Sequence, residues 1–342
     1  MNPDVLHVAV GVIKNNNNQV LLSRRPSNVH QADLWEFPGG KLEPGETVRQ
    51  ALSRELNEEL GLTVKSAKPL IRIYHDYDEH SVLLDVWQID SWDMGLVDCS
   101  AQQVQQGQEG QKIEWVDISS LGARDFPAAN RAIIKAVRLP DFYLICPEPE
   151  ADTRKYINNF RACISAGVRL FQLRFGQQAH YDRHEALITE LLELCKTSNS
   201  RLLINSSPEY AVKIGAHGVH LNSTRLMEFY ERPLDKKFLV SASCHDAIEL
   251  EHASKIDVDF AVLSPVNKTS SHASAVPLGW GKFNDLVEPV CVPVYALGGM
   301  CAEDMKKSRE SGAQGVSVLS GIWNYDDVEK AVNKYLKDDS CT

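Results

Sequence analysis

The chain has 342 residues, about twice the usual length of a single domain, and its 43% hydrophobic content is ordinary for globular proteins. With 36 basic and 46 acidic residues its formal net charge is −10, and no basic tract stands out, so a nucleic-acid polymer is not expected as a partner. The 8 cysteines are scattered without a CxxC pair, no signal pattern is present, and no apolar run approaches the roughly 20 residues that span a bilayer. These features predict reduced thiols in a cytoplasmic protein that does not insert into membranes.

The first part of the chain predicts a domain that mixes strands and helices. Two apolar runs, 6–13 and 20–23, are separated by asparagines that tolerate positive φ, so they predict a hairpin. A helix is predicted over 48–60, because Thr47 and Gln50 have the spacing of a capping box and Gly61 follows its end. Further predicted elements are strands at 70–74, 81–89 and 113–116, a glutamine-rich loop at 102–111 and a last helix at 128–138.

From Phe142 onward, strand-like runs alternate with segments of helical length, which is typical of βαβ units and a parallel sheet. Eight such units in the remaining residues predict a small (β/α)8 barrel, with a boundary near Pro140. The domains are therefore expected at 1–138 and 142–336, and the fold class is α/β. The predicted strands are 142–145, 170–174, 202–205, 218–220, 239–242, 260–263, 294–297 and 315–318.

The most informative motif is the run GKLEPGETVRQALSRELNEELGL at residues 40–62. On a helix, Glu55, Glu58 and Glu59 stand at i, i+3 and i+4, so their carboxylates share one face. Three like charges on adjacent turns repel, and hard oxygen ligands of this kind suit Mg²⁺ or Mn²⁺ bound together with substrate phosphates. A solvated acidic helix face is the alternative for a bare ExxEE, but here Glu46 and Arg54 also fall at fixed spacing.

This run matches the signature of the Nudix hydrolases at every defining position. The first domain resembles the MutT-type members, which act on oxidised guanine nucleotides, through AVGVIKN, SRRP, WEFPGGK, EGQKIEW and DFPAAN. The resemblance implies an α/β/α sandwich with a mixed sheet, and a Mg²⁺-dependent hydrolysis of 8-oxo-dGTP to the monophosphate and pyrophosphate. Such an enzyme would serve nucleotide-pool sanitation and mutation avoidance.

The resemblance also implies the metal ligands. Glu55, Glu58 and Glu59 would hold Mg²⁺, with Mn²⁺ as a possible substitute, and Gly40 would offer its carbonyl oxygen. Glu109, in a polar loop where most glutamates are solvated, would be the remote carboxylate that closes the site.

Four further residues gain roles from the same resemblance. Arg54 would orient the helix carboxylates, and Arg25 would meet a substrate phosphate. Phe37 and Asn130 would contact the purine, with the amide reading the oxidised base edge. Each of the last three has a simpler alternative: Arg25 as a surface residue, Phe37 as core, and Asn130 as a cap of the last helix.

In the barrel, a phosphate site is expected where the strands end. Gly298 and Gly299 follow the seventh strand and Ser320 follows the eighth, where backbone N–H groups and a helix N-terminus commonly hold phosphate. A simple glycine turn is the alternative.

Nearly the whole barrel is similar to thiamine-phosphate synthase and its TenI-like relatives, through LFQLRFG, SASCHD, SPVNKTSSH, YALGGM and GVSVLSGIW. The positions that carry over are Gln172, Arg174, Asn205, Ser243, Thr269 and the Gly298-Gly299 turn.

The departures from that family matter more. Ser206 and Arg225 stand where active synthases have magnesium-binding aspartates, and Gly176 and His272 stand where they have lysines. The resemblance therefore implies a catalytically impaired, phosphate-binding barrel, which could take a phosphorylated thiazole or another phosphate compound. His245 and His272 could still perform acid-base work.

Three functions remain open at this point. The leading one is an 8-oxo-dGTP diphosphatase with a nucleoside triphosphate substrate. A second is hydrolysis of thiamine-pathway diphosphates, which only the presence of the barrel supports. In the third, the barrel is a ligand-sensing module that regulates the hydrolase. The sequence leaves the oligomeric state undetermined.

Overall fold

The computed structural model describes residues 5–25, 32–77, 81–93, 105–150, 152–269 and 276–336. The chain divides into two compact units, Met1–Arg138 with Glu288–Cys291, and Leu139–Val287 with Val292–Thr342. In the described part of the chain, no helix is both long and apolar enough to span a bilayer. The six described cysteines carry free thiols, and Cys99 and Cys341 lie outside the described residues.

The strands of the first unit form two four-stranded sheets. The described strands are β1 (Val5–Ile13), β2 (Gln19–Arg24), β3 (Trp35–Glu36), β4 (Gly39–Lys41), β5 (Thr63–Asp76), β6 (Ser81–Asp93), β7 (Gln105–Gln106) and β8 (Lys112–Asp117). One sheet has the order β4-β1-β6-β5 and is mixed, because β1 runs parallel to β6 and antiparallel to β4. The other has the order β3-β2-β8-β7 and is antiparallel.

The turn predicted between the first two strands is present, but the prediction that these strands pair as a hairpin is wrong. Asn18 has the expected positive φ, 61°, but a single bridge, Lys14 to Val20, joins the two strands. They then diverge into different sheets. The C-terminal half of β1 is fully buried, so it needs partners on both edges, which β4 and β6 supply.

Two helices cover the sheets on opposite faces. Helix α1 (Val48–Leu60) has the predicted bounds, and its capping box and left-handed Gly61 cap are both confirmed. Its buried leucines pack with one set of strand side chains, while α2 (Asn130–Val137) packs with another set that includes Val10, Leu22 and Val86. A short 3-10 helix, Ile118–Ala123, precedes α2. The first unit is therefore the predicted α/β/α sandwich.

The second unit is a closed parallel barrel of eight strands in the order β10-β11-β12-β13-β14-β15-β16-β9. The strands are β9 (Phe142–Pro147), β10 (Leu170–Arg174), β11 (Arg201–Ile204), β12 (Gly218–Leu221), β13 (Leu239–Cys244), β14 (Phe260–Leu263), β15 (Val294–Leu297) and β16 (Gly315–Val318). Strands β10, β14, β15 and β16 have the predicted bounds, and the others differ by one or two residues at one or both ends. The predicted barrel is thus confirmed.

Helices follow the barrel strands in the expected alternation. The described ones are α3 (Thr153–Ser165), α4 (Gln178–Arg183), α5 (Glu185–Thr197), α6 (Pro208–Lys213), α7 (Ser223–Leu226), α8 (Ala247–Lys255), α9 (Gly279–Val287), α10 (Asp304–Glu310), α11 (Ser320–Trp323) and α12 (Val328–Leu336).

Aromatic side chains fill the lower part of the barrel. The Tyr143 ring meets Phe260 edge-on, with centroids 5.1 Å apart, and Tyr295 lies 5.7 Å from Tyr143. All three are fully buried, and Leu170 and Leu203 complete the layer. Because this layer closes the interior from below, open space remains at the carboxyl ends of the strands.

Candidate functional sites

Helix α1 presents its glutamates on a face that is free of the core. Its buried stripe is Ala51, Leu52, Leu56 and Leu60, so the register of the helix is set by packing on the sheets. Glu58 is 54% exposed and Glu55 17% exposed. The three predicted carboxylates therefore stand together at one surface of the first unit.

Arg54 connects this acidic face to the loop before the helix. Its Nε and Nη2 donate to the two Glu46 carboxylate oxygens, each at 2.9 Å, which is a bidentate pair. Its Nη1 donates to Glu55 at 2.8 Å and reaches Glu58 at 3.3 Å, and Nη2 also donates to the Lys41 carbonyl at 3.0 Å. The hydrogen bonds from Arg54 lower the pKa of Glu46 to about 2. The predicted orienting geometry of Arg54 is present.

The two glycines of β4 bring backbone against the helix carboxylates. The Gly39 N–H donates to Glu59 Oε2 at 3.2 Å. A Cβ added to Gly40 would lie 2.2 Å from the Glu55 carboxyl carbon, so a larger residue there would displace the Glu55 carboxylate. Gly40 is thus placed beside the acidic face, as its predicted role requires.

Glu59 is a half-buried carboxyl with three other glutamates near it. Removal of water from its half-buried carboxyl raises the pKa of Glu59 to about 8, with Glu36, Glu55 and Glu109 adding repulsion and the Gly39 N–H opposing it. A carboxyl in this position gains more than its neighbours from a nearby cation.

The loop after β7 brings Glu109 to the same place. The Gln108 N–H donates to the Glu59 carbonyl at 2.8 Å, and Gln111 Nε2 donates to that oxygen at 3.2 Å. The side-chain oxygen of Gln111 accepts from the Glu109 N–H at 3.1 Å. This anchoring holds Glu109, far away in sequence, near the C-terminal end of α1.

The three residues predicted to bind substrate differ in their exposure and in their contacts. Arg25 forms an ion pair with Glu36. Phe37 is 3% exposed and packs in the core, with its ring 6.0 Å from Phe126, as the simpler alternative expected. Asn130 is 9% exposed at the first position of α2. The capping alternative for Asn130 is wrong, because Ala129 is the N-cap and no side chain caps this helix.

Glu36 is a site residue that the sequence reasoning missed. It pairs with Arg25, and burial raises its pKa while Arg25 lowers it. It also acts on Glu59 across the site. Its position inside the WEFPGGK stretch was the available signal, but proximity to Glu59 depends on how β3 is placed.

Within the described ranges, no three His, Cys, Asp or Glu side chains converge closely enough to hold a metal ion. Glu55 and Glu58 instead accept hydrogen bonds from Arg54. The donor set is nevertheless suited to a hard divalent cation, because it consists of carboxylate oxygens beside an uncompensated Glu59 carboxyl.

The second unit contains a cavity of about 500 Å³ at the carboxyl ends of its strands. All six residues predicted to bind phosphate line it: Arg174, Ser243, Thr269, Gly298, Gly299 and Ser320. Gln172, Asn205 and His245 line it as well. The sequence reasoning therefore identified side chains from several strands that the barrel brings together.

The Gly298-Gly299 turn has a packing requirement of its own. Both residues have positive φ, 102° and 65°. An added Cβ would lie 2.9 Å from Pro265 at Gly298 and 2.3 Å from the Lys268 carbonyl oxygen at Gly299. The glycines thus allow close approach of the loop after β14. The helix after Ser320 has four residues, too short for the helix N-terminus expected there to act as a strong anion site.

A buried histidine organises the polar wall of this cavity. His220 Nε2 lies 2.7 Å from Ser243 Oγ, and its Nδ1 lies 2.8 Å from Ser241 Oγ. Burial lowers the pKa of His220 to about 3, and the positive charges of Arg174 and Arg225 act in the same direction. His220 is therefore a neutral hydrogen-bonding group.

The residues that depart from the thiamine-phosphate synthase pattern lie next to identifiable polar side chains. Ser206 donates to the Gln178 side chain at 2.6 Å, and Arg225 donates to the Asn205 side chain at 3.0 Å. Gly176 lies beside His180. His245 contacts Glu249 at 3.0 Å. His272 lies outside the described residues.

Comparisons with known proteins divide the chain in the same way. Residues 9–136 match the model of the NUDIX domain family, and residues 142–322 match that of the thiamine monophosphate synthase family. The first part is 36% identical over 133 residues to an 8-oxo-dGTP diphosphatase of Escherichia coli (strain K12), covering 39% of this chain and 96% of that protein.

The second part is 29% identical over 197 residues to a thiamine-phosphate synthase of Syntrophomonas wolfei subsp. wolfei, covering 56% of this chain and 92% of that protein. A solved thiamine phosphate pyrophosphorylase from Pyrococcus furiosus aligns with 57% of this chain and 93% of its own, at 21% identity and a TM-score of 0.47.

The lowered pKa of His220 predicts a specific pH response. The unfolded chain takes up a proton at this histidine below about pH 6.5, whereas the folded barrel does so only near pH 3, so the barrel loses stability as the pH falls through this interval. NMR of ¹⁵N-labelled protein should show a neutral His220 imidazole at pH 5. A titration midpoint near 6.5 in the folded protein would contradict the assignment.

Proposed function

We propose that this chain, which belongs to the Nudix hydrolases through residues 9–136 and to the thiamine monophosphate synthase family through residues 142–322, hydrolyses 8-oxo-dGTP and related oxidised purine nucleotides. The products are the nucleoside monophosphate and pyrophosphate. The observation that carries the proposal is the acidic face of α1, where Glu59 lies among like charges while Arg54 holds its neighbours.

The carboxylates of Glu55, Glu58, Glu59 and Glu109 and the Gly40 carbonyl would hold Mg²⁺, or Mn²⁺ in its place. When bound, the ion would polarise a phosphoryl oxygen and neutralise charge on the leaving group. These residues belong to α1, to β4 and to the loop at 107–111, whose Gln108 N–H is bonded to the Glu59 carbonyl.

Arg54 acts in this site as a positioning residue. Its fork holds Glu46 with two bonds and Glu55 with a third, which fixes where the Glu55 carboxylate stands. A lysine could not make this set of contacts, because its ammonium group lacks the planar fork.

Substrate recognition falls to residues on the neighbouring elements. Arg25 would exchange its Glu36 partner for a substrate phosphate, since a guanidinium can bind either anion with two parallel hydrogen bonds. The Asn130 amide would read the oxidised purine edge, since it can donate and accept together. Phe37 is buried against Phe126, so it supports this region from the core.

The substrate is tested by measuring pyrophosphate release from 8-oxo-dGTP, dGTP, other dNTPs, thiamine diphosphate and the thiamine pyrimidine diphosphate with Mg²⁺. We expect a preference for 8-oxo-dGTP that falls about tenfold in Asn130→Ala, because one hydrogen bond that distinguishes the substrates is worth about 1 to 1.5 kcal/mol. Asn17→Ala, at an exposed turn, is the matched control. A preference for a thiamine-related diphosphate would favour the thiamine-pathway hydrolase instead.

The metal-ligand assignment is tested by Glu58→Gln. This side chain is 54% exposed and makes one 3.3 Å contact with Arg54, so its neutralisation should cost at most about 1 kcal/mol of stability. Turnover should fall to background while urea denaturation stays nearly unchanged. Glu43→Gln, an exposed neighbour in the same motif, should remain active. Undiminished turnover in Glu58→Gln would contradict the assignment of Glu58 as a metal ligand.

For the barrel, we propose that it binds a phosphate compound but does not catalyse the synthase reaction. Its cavity is lined by Arg174, serines, threonines and glycines, without a carboxylate among the described lining residues. A diphosphate substitution needs its leaving group neutralised, and magnesium held by carboxylates is the usual means.

Complementation tests this second proposal. A strain that lacks thiamine-phosphate synthase should fail to grow without thiamine when it expresses the full chain, while an active synthase expressed from the same vector restores growth. Immunoblotting confirms that both proteins accumulate. Growth on the full chain alone would show that the barrel is a competent synthase.

A further inference from the structure

Glu36 is a neighbour of two residues that bind opposite charges in the proposed function. Its carboxylate accepts a hydrogen bond from the Arg25 guanidinium, with Oε2 and Nη1 2.5 Å apart. It also lies three residues before Gly39, whose N–H donates to Glu59 Oε2 at 3.2 Å. Arg25, which would bind the substrate phosphate, and Glu59, which would bind the cation, are therefore both close to one carboxylate.

The backbone holds the Arg25–Glu36 ion pair in place. Glu36 is opposite Ser23 in the β2–β3 register, and the Arg25 N–H donates to the Leu34 carbonyl at 2.9 Å. The side chains of Arg25 and Glu36 are 27% and 26% exposed, so most of their surface is shielded from solvent. A shielded pair is screened less by salt than a pair at the surface. Glu36 therefore competes with any anion that approaches Arg25.

The charge of Glu36 also reaches Glu59. Burial is the main cause that raises the pKa of Glu59 to about 8, and the negative charge of Glu36 is the next largest, ahead of the charges of Glu55 and Glu109. A charge that disfavours the ionised Glu59 carboxylate favours a cation beside it, because the same electrostatic field acts on both. Glu36 therefore contributes to the attraction of a divalent ion without having to contact it.

These two interactions depend on the same negative charge. While Arg25 is bound to Glu36, the guanidinium offsets part of the Glu36 charge that acts on Glu59. When Arg25 binds a phosphate instead, that charge is no longer offset, and Glu36 attracts the cation more strongly. Thermodynamic linkage makes the effect reciprocal, so a bound cation weakens the attraction between Glu36 and Arg25.

We propose that Glu36 couples phosphate binding by Arg25 to cation binding by Glu59, so that each ligand favours the binding of the other. Glu36 is a positioning residue for Arg25, and it acts on the cation through its charge. The inference rests on the proposed function, which assigns the phosphate to Arg25 and the cation to Glu59, and adds the residue that links the two.

Two neutral variants of the full chain test this coupling, because each should shift the two affinities in opposite directions. In Glu36→Gln, Mn²⁺ should bind about threefold more weakly, and 8-oxo-dGMP, the proposed product, about threefold more tightly in excess EDTA, as expected for one partly shielded charge. In Arg25→Gln, Mn²⁺ should bind more tightly and the nucleotide more weakly. Electron paramagnetic resonance of free Mn²⁺ and calorimetry measure these affinities at pH 8.5, above the pKa of Glu59.

Glu114→Gln is the matched control, because Glu114 makes the same kind of ion pair, with Arg124, on another strand of the same sheet, and it should leave both affinities unchanged. Circular dichroism establishes that the variants are folded. Shifts of both affinities in one direction, unchanged affinities in Glu36→Gln, or failure of the wild-type protein to bind Mn²⁺ or 8-oxo-dGMP would each overturn the proposal. Turnover of 8-oxo-dGTP tests the proposed function separately, so the failure of either idea is recognised independently of the other.

Discussion

The arrangement of the first site depends on the Arg54 guanidinium. Three glutamates on adjacent helical turns repel one another, and Glu46 brings a fourth negative charge from the preceding loop. Arg54 holds Glu46, Glu55 and Glu58 with bonds of 2.8 to 3.3 Å and anchors itself on a backbone carbonyl. Glu59, which Arg54 does not contact in the described structure, keeps a raised pKa. One cationic side chain thus pairs with three of these four carboxylates.

The candidate sites of the two units differ in the charge of their described side chains. The first gathers carboxylates, which favour a cation over an anion. The barrel gathers arginines, hydroxyls and backbone amides around its cavity, which suits an anion directly. This contrast follows from side-chain identity at a few positions, because the barrel itself is complete: its eight strands close and its aromatic layer is packed. An intact fold therefore does not establish that the family reaction is retained.

Local sequence signals predicted the elements well where one face or one period dominates. Helix α1 has the predicted bounds because its capping box, leucine stripe and Gly61 agree with one another. The barrel strands were recognisable as short apolar runs between helices. The prediction was wrong for the β1–β2 hairpin, since a strand buried on both faces carries no alternation that reveals its neighbours. The sequence also suggested Asn130 as the N-cap of α2. Asn130 is instead the first residue inside the helix, and Ala129 is the N-cap.

The sequence by itself determined the acidic face of α1, the presence of a barrel and the residues at its strand ends, because these depend on spacing along the chain. Only the tertiary structure showed that the charges of Glu36 and Glu109 raise the pKa of Glu59. It also showed that Arg25 pairs with Glu36 and that Arg225 donates a hydrogen bond to the Asn205 side chain. It also revealed that Gln172 and Ser317 share one cavity. These relations join residues far apart in sequence, so their distances are set by how strands and helices pack.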